Sequence, residues 1–186
     1  AVLPSMKKVA ILAAPGFEEI ELIAPLDILR RLNMEVLLAG VQSDKVVSTH
    51  DVTVTTDTML DKLHADKLDA LVLPGGAGSW ILRDTPEVIH LVKKMNEAGK
   101  LVAAICAAPS VLASLGLLEG KNATAHAGFQ DKLAGAHVLD AEVVVDGNIT
   151  TSYGLGGAIP FALELVHQLA GEAEADRIRN AIAYRH

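Results

Sequence analysis

The chain has 186 residues, 51% of them apolar and only 3% aromatic, and carries a formal net charge of −7. That is enough for one domain, residues 1–186, with a core of alanine, valine and leucine, and it excludes disorder. No basic stripe exists to displace counterions, which excludes a nucleic-acid binder. One cysteine excludes an internal disulfide and a cysteine-based zinc site.

A single cysteine suits a reducing compartment, so a cytoplasmic location is expected. Residues 1–5 lack the charged-then-apolar order of a signal peptide. Met6 followed by Lys7 and Lys8 reads as a native start, which makes residues 1–5 a candidate cloning remnant. Residues 101–118 are apolar, but Pro109, Gly116 and two serines mark them as a core element rather than a membrane span.

Residues 8–15 read as a buried strand ended by Pro15-Gly16. A helix follows over residues 17–32, with Ile20, Ile23, Ala24, Ile28, Leu29 and Leu32 as its apolar stripe. Pro25 lies inside it and predicts a kink or an irregular first turn. Residues 34–40 and 51–56 read as strands, and 63–67 as a short connector. A buried strand over 68–73 ends in Pro74-Gly75-Gly76-Ala77-Gly78. Thr85 or Asp84 caps a helix over 86–98, with Pro86 at its first position and Gly99 beyond its end. Residues 101–105 form another buried strand, and 107–115 a helix that tolerates Pro109 in its first turn. Residues 123–128 read as a short strand carrying His126, and 141–152 as a hairpin around Asp146-Gly147-Asn148. Helices over 158–169 and 172–183 complete the chain. Strands alternating with helices predict an α/β sandwich with a mainly parallel sheet. Ligands bind such sheets at the carboxyl ends of the strands, where Gly16, the glycine run and Cys106 would share one rim.

Cys106 falls on the joint between a strand and a helix, flanked by Ala104 and Ala108. A nucleophile on a sharp turn needs small neighbours, and a helix N-terminus favours a thiolate. The other reading is a small inert core residue. Glu18, Glu19 and Glu21 open the first helix, where acids are expected from the dipole alone. The apolar stripe draws Glu21 toward the sheet, where a desolvated carboxyl beside a cysteine would stay protonated and could shuttle a proton. The Gly75-Gly76 turn could present N–H groups to an oxyanion, or be an ordinary strand-to-helix turn. His126 stands on an apolar stretch, as a structural or a reactive residue. No histidine pair has the spacing of a helical metal site, and no phosphate-loop or dinucleotide fingerprint is present.

Four stretches, APGFEEIELIAPLDILRR, DALVLPGG, LVAAICAAPSVLA and TSYGLGGAIPFAL, together resemble the ThiJ/PfpI superfamily, and within it the parkinsonism-associated deglycase branch and its bacterial relatives. The resemblance spans residues 14–163. It implies a flavodoxin-like fold, a homodimer with the first helix in its interface, and no cofactor or metal. It implies that Cys106 is a nucleophile and oxidation-sensitive thiol, that Glu21 touches its sulfur, that His126 is the site histidine, and that the N–H groups of Gly76 and Ala107 are oxyanion donors. Gly75, Glu18 and Tyr153 would line the substrate pocket. The implied activity is that of a glyoxalase or deglycase acting on methylglyoxal, glyoxal or early glycation adducts, in protection against carbonyl and oxidative stress. A redox-sensor or stress-chaperone role through Cys106 oxidation is the alternative. His50 and Tyr153 stand where relatives carry arginines, and Ala108 where they carry a glycine. A histidine after the cysteine, as in the protease-like branch, is replaced by Ala107, and no His-x-Glu pair completes an amidotransferase triad.

Overall fold

The computed structural model describes residues 6–185. The candidate cloning remnant at residues 1–5 lies outside them. The elements in order are β1 (Lys8–Ala13), α1 (Glu19–Leu29), β2 (Glu35–Gly40), β3 (Lys45–Val47), β4 (Thr53–Thr55), β5 (Thr58–Met59), β6 (Ala70–Leu73), α2 (Gly78–Asp84), α3 (Pro86–Glu97), β7 (Leu101–Ile105), α4 (Pro109–Ser114), β8 (Asn122–Ala123), β9 (His137–Val138), β10 (Val143–Asp146), β11 (Ile149–Ser152), α5 (Ala158–Ala170) and α6 (Glu172–Ala181).

Seven strands form the central sheet in the order β10-β11-β7-β6-β1-β2-β5. All neighbours run parallel except β10 and β11, the expected hairpin. Side chains alternate across β1. Val9, Ile11 and Ala13 face a core with α1, α5 and α6, while Ala10 and Leu12 face one with α3 and α4. The sheet is therefore buried on both faces, as its continuous apolar strands require. From β1 the chain passes to β2 on one side and later returns to β6 on the other. That reversal leaves a crevice at the carboxyl ends of β1 and β6, next to the end of β7.

Several expectations are corrected. The strand expected over residues 51–56 is present but shorter, Thr53–Thr55, and lies outside the central sheet. Thr53–Thr55 pairs with the unforeseen β3 in a separate two-stranded ribbon. The glycine run leads directly into α2, which turn signals concealed. Residues 123–128 are not a strand, since β8 ends at Ala123 and His126 caps a 3₁₀ turn over Ala127–Lys132. The helix after Cys106 has six residues, not nine. The helix α1 runs through Pro25, but its buried face is Glu21, Leu22, Pro25, Leu26, Ile28 and Leu29. Ile20 and Ile23, assigned above to the inner stripe, are 47% and 38% exposed. Among the described residues, no helix is long and apolar enough to cross a membrane.

Candidate active site

The strand β7 is fully buried and delivers Cys106 at its carboxyl end. Cys106 has φ +67, a left-handed conformation that costs a residue with a β-carbon about 1–3 kcal/mol. Two hydrogen bonds hold it there. Its N–H donates to the Ser152 carbonyl at 2.9 Å, and its carbonyl accepts from the His126 N–H at 3.0 Å. Ser152 is itself fixed, because its hydroxyl donates to the Glu142 carbonyl at 2.7 Å. Ala107 and Ala108 are buried, so small neighbours are required at this joint, as expected. With only six residues in α4, the helix dipole behind the sulfur is short, and the nearby N–H groups matter more than the helix.

Glu21 is 1% exposed, because it shares a helical face with Pro25 and Ile28 and points inward from α1. Its Oε1 accepts the Gly75 N–H at 3.0 Å, and its carboxyl hydrogen-bonds the Cys106 sulfur. Burial, and then the charge of Glu18, raise its pKa from 4.5 to about 7, against the hydrogen bonds from Cys106 and Gly75. Burial likewise pushes the Cys106 thiol up to about 12, reinforced by the Glu21 charge and hydrogen bond and opposed by the N–H groups of Ala107 and Gly76. The two acids share one site and titrate as a pair. A proton on Glu21 turns that carboxyl into a donor and removes the charge that opposes a thiolate.

Gly75 could carry no side chain. A β-carbon there would lie 2.5 Å from Glu21 Oε1, 2.6 Å from Cys106 Cβ and 2.9 Å from the Ile105 carbonyl. The N–H groups of Gly76 and Ala107 both reach the Cys106 sulfur. The expected pair of N–H donors is therefore brought together, on the sulfur side of the crevice.

Gly154 closes the site, at φ +148, where a side chain is disfavoured. The position of its absent β-carbon lies 3.8 Å from Cys106 Sγ, 3.9 Å from Glu21 Oε2 and 3.6 Å from His126 Cδ2. Those three groups therefore converge on one small space. His126 is exposed, and its Nδ1 accepts the Gly128 N–H at 3.1 Å, which leaves the ring proton on Nε2. His126, Tyr153 and Gly154 also line an adjoining cavity of about 450 Å³. A larger cavity, about 690 Å³, lies between Leu60, His64, Pro86 and His90 and shares no lining residue with the first.

The remaining candidates sit at the margin. Glu18 caps α1, accepting the Glu21 N–H at 2.8 Å and donating its own N–H to the Gly75 carbonyl. Its carboxylate is thus committed to structure, and it reaches the chemistry through its effect on Glu21. His50 lies 74% exposed and pairs with Glu19 Oε1 at 2.5 Å. Glu18, Glu19 and His50 are, among the described residues, the group whose ligand atoms lie within 4.8 Å of one another and could approach a cation. Gly154 and Ser152 were not singled out from the sequence. Gly154 follows a strand in a glycine-rich run and reads as an ordinary turn, and Ser152 acts through its backbone carbonyl.

The DJ-1/PfpI family model matches residues 7–168. A deglycase of Thermococcus kodakarensis is 43% identical over 164 residues, covering 87% of this chain and 99% of that protein. Protein dj-1beta of Drosophila melanogaster is 38% identical over 180 residues, covering 95% and 96%. The crystal structure of a DJ-1 superfamily protein from Salmonella typhimurium superposes with a TM-score of 0.92 at 40% identity, covering 97% of this chain and 100% of that one. The family match over most of the chain, the identity to these relatives and the shared fold lead to one conclusion: the chain belongs to the DJ-1/PfpI family.

Proposed function

We propose that the chain is a cofactor-free enzyme acting on 2-oxoaldehydes such as methylglyoxal and glyoxal, or on their early glycation adducts, through Cys106. The observation that carries this is the Cys106 sulfur held against the buried Glu21 carboxyl, which is fixed by the Gly75 N–H and faces His126 across one small space. The name of the Thermococcus relative, a deglycase, supports the same reading.

The aldehyde enters over Gly154. The Cys106 thiol passes its proton through Glu21 to the carbonyl oxygen as the sulfur adds to the aldehyde carbon, so that oxygen becomes the hydroxyl of a hemithioacetal and Glu21 is left ionised. The Gly76 and Ala107 N–H groups stabilise the oxygen while it is charged. Glu21 and His126 then remove the proton from the former aldehyde carbon and return one to the neighbouring carbon, through an enediol. The product is a 2-hydroxyacyl thioester. Water cleaves it to a 2-hydroxy acid and restores the thiol, so methylglyoxal plus water becomes lactate. Rapid-quench mass spectrometry tests the covalent step. One methylglyoxal should appear on the peptide containing Cys106 and decay at the turnover rate; turnover without that adduct would sink the mechanism.

A homodimer completes the proposal. Ile20, Ile23 and Ile159 leave apolar side chains on the outer surfaces of α1 and α5, which suits burial against a second copy. Sedimentation should give twice the chain mass, and Ile23→Glu should shift it toward monomer. A wild-type monomer at micromolar concentration removes this part.

A further inference from the structure

We propose that the large cavity between α3 and the two 3₁₀ turns Leu60–Lys62 and Ala65–Lys67 binds a small organic cation with an apolar body, an aryl- or alkylamine, at a site separate from Cys106. The proposal does not rest on the function proposed above. The cavity holds about 690 Å³ and shares no lining residue with the one beside Gly154. Pockets for small ligands span about 300–1,000 Å³, with an apolar lining and a few polar groups that fix orientation.

The floor is apolar and the walls are held in place. Leu91 is buried, and Leu60, Leu63 and Ala65 pack on the same core cluster while staying partly open to the cavity. The first turn closes through the Leu63 N–H, which donates to the Leu60 carbonyl at 3.0 Å. The second closes through the Lys67 N–H, which donates to the His64 carbonyl at 3.0 Å. Lys100 Nζ donates to the Ala65 carbonyl at 2.5 Å and ties this turn to the chain just before β7. The facing helix is anchored by Val88, Leu91, Val92 and Met95, all buried. A cavity with fixed walls spends little free energy on ordering when a ligand enters.

The charge around the floor selects the ligand. Asp61, Asp66 and Glu87 contribute three exposed carboxylates to the lining, and among the described residues none of these makes a hydrogen bond or an ion pair. Lys94 is the one lysine or arginine of the lining, and its ammonium lies 3.6 Å from Glu97 Oε2. Lys62 and Lys67 lie on the two turns but not in the lining. The rings of His64 and His90, also without a side-chain partner, add nitrogens that can accept a hydrogen bond. An amphipathic cation fits both features. Its body covers the leucines, and its ammonium stays at the mouth among the carboxylates. The start of α3 is the feature that favours an anion instead. Thr85 does not cap it, since its hydroxyl donates to the Ile81 carbonyl at 2.5 Å. Glu87 in the first turn already supplies the negative charge which that helix end attracts.

The test compares tryptamine with indolepropionate, which share one apolar body and differ in the sign of their charge. Each is titrated into the wild-type chain and followed through the amide NMR signals of Ala65, His90, Leu91 and Gly154. Tryptamine should give saturable shifts at the first three and none at Gly154. Indolepropionate, and ethylamine, which lacks the ring, should each bind about tenfold more weakly or not at all. The double variant Asp66→Asn/Glu87→Gln should weaken tryptamine about five- to tenfold, the worth of two exposed charges. Both positions are exposed, so the fold should survive the change. No saturable shift at Ala65 and Leu91, indolepropionate binding as well as tryptamine, unchanged affinity in the double variant, or shifts centred on Gly154 would each overturn the site.

Discussion

Glu21→Gln is expected to reduce methylglyoxal turnover by about 10²- to 10⁴-fold, the range for loss of a positioned acid-base group. Glutamine keeps the shape and can still accept the Gly75 N–H through Oε1, the contact measured at 3.0 Å in the parent. It cannot take a proton from the sulfur or return one to carbon. The fold should survive, and its pH dependence should change in a defined direction. Glu21 titrates near 7 when folded, against 4.5 unfolded. The native chain therefore holds its proton more tightly than the unfolded chain does. This favours the fold fully below about pH 4.5, and the advantage is lost as pH rises through about 7. Between pH 5 and pH 8 the parent should lose about 2–3 kcal/mol that the glutamine variant does not. Urea titrations of both proteins at the two pH values measure it. Parallel slopes would show that Glu21 is already ionised at pH 5, and near-normal turnover would remove it from the proton path.

Gly75→Ala should be nearly as damaging for a different reason. The new methyl group would fall 2.5 Å from Glu21 Oε1 and 2.6 Å from Cys106 Cβ. The third neighbour, the Ile105 carbonyl at 2.9 Å, is backbone of the central strand β7 and cannot swing aside. Relief must come from displacing Glu21, which breaks its bond to the Gly75 N–H and moves its carboxyl off the sulfur. Overpacking of this kind costs about 1–3 kcal/mol. A misplacement near 1 Å costs about 100-fold in rate. Both losses should appear together, in a denaturant melt and a turnover assay. A variant that folds with parental stability and turnover would mean that the Gly75 turn has slack the structure does not show.

Much of this site was legible in the chain, though not always for the reason that first suggested it. Cys106 was placed correctly by a rule of local geometry, a buried strand running into a helix with only small residues between. The burial of Glu21 was also anticipated, but Ile20 and Ile23 were credited with it, and both face outward. The inward stripe is Glu21, Pro25 and Ile28, and a glutamate and a proline among its members hide it from any apolar count. His126 was found on a residue-by-residue basis while its setting was misread, because three consecutive buried residues, Ala123 to Ala125, look like a strand and continue as an extended segment into a 3₁₀ turn. Gly154 was out of reach. Its importance lies in contacts with residues 28, 48 and 133 positions away in sequence, and a glycine after a strand announces only a turn.

The decisive measurement is lactate formation from methylglyoxal by the purified protein without glutathione, beside Cys106→Ala. Scavenging by a thiol consumes at most one aldehyde per chain, so the quantity to follow is lactate per chain over many equivalents. Multiple turnovers by the parent, and none by a folded Cys106→Ala, are the expected result. Lactate from the alanine variant at a comparable rate, or aldehyde uptake that stops at one equivalent, would contradict a catalytic Cys106.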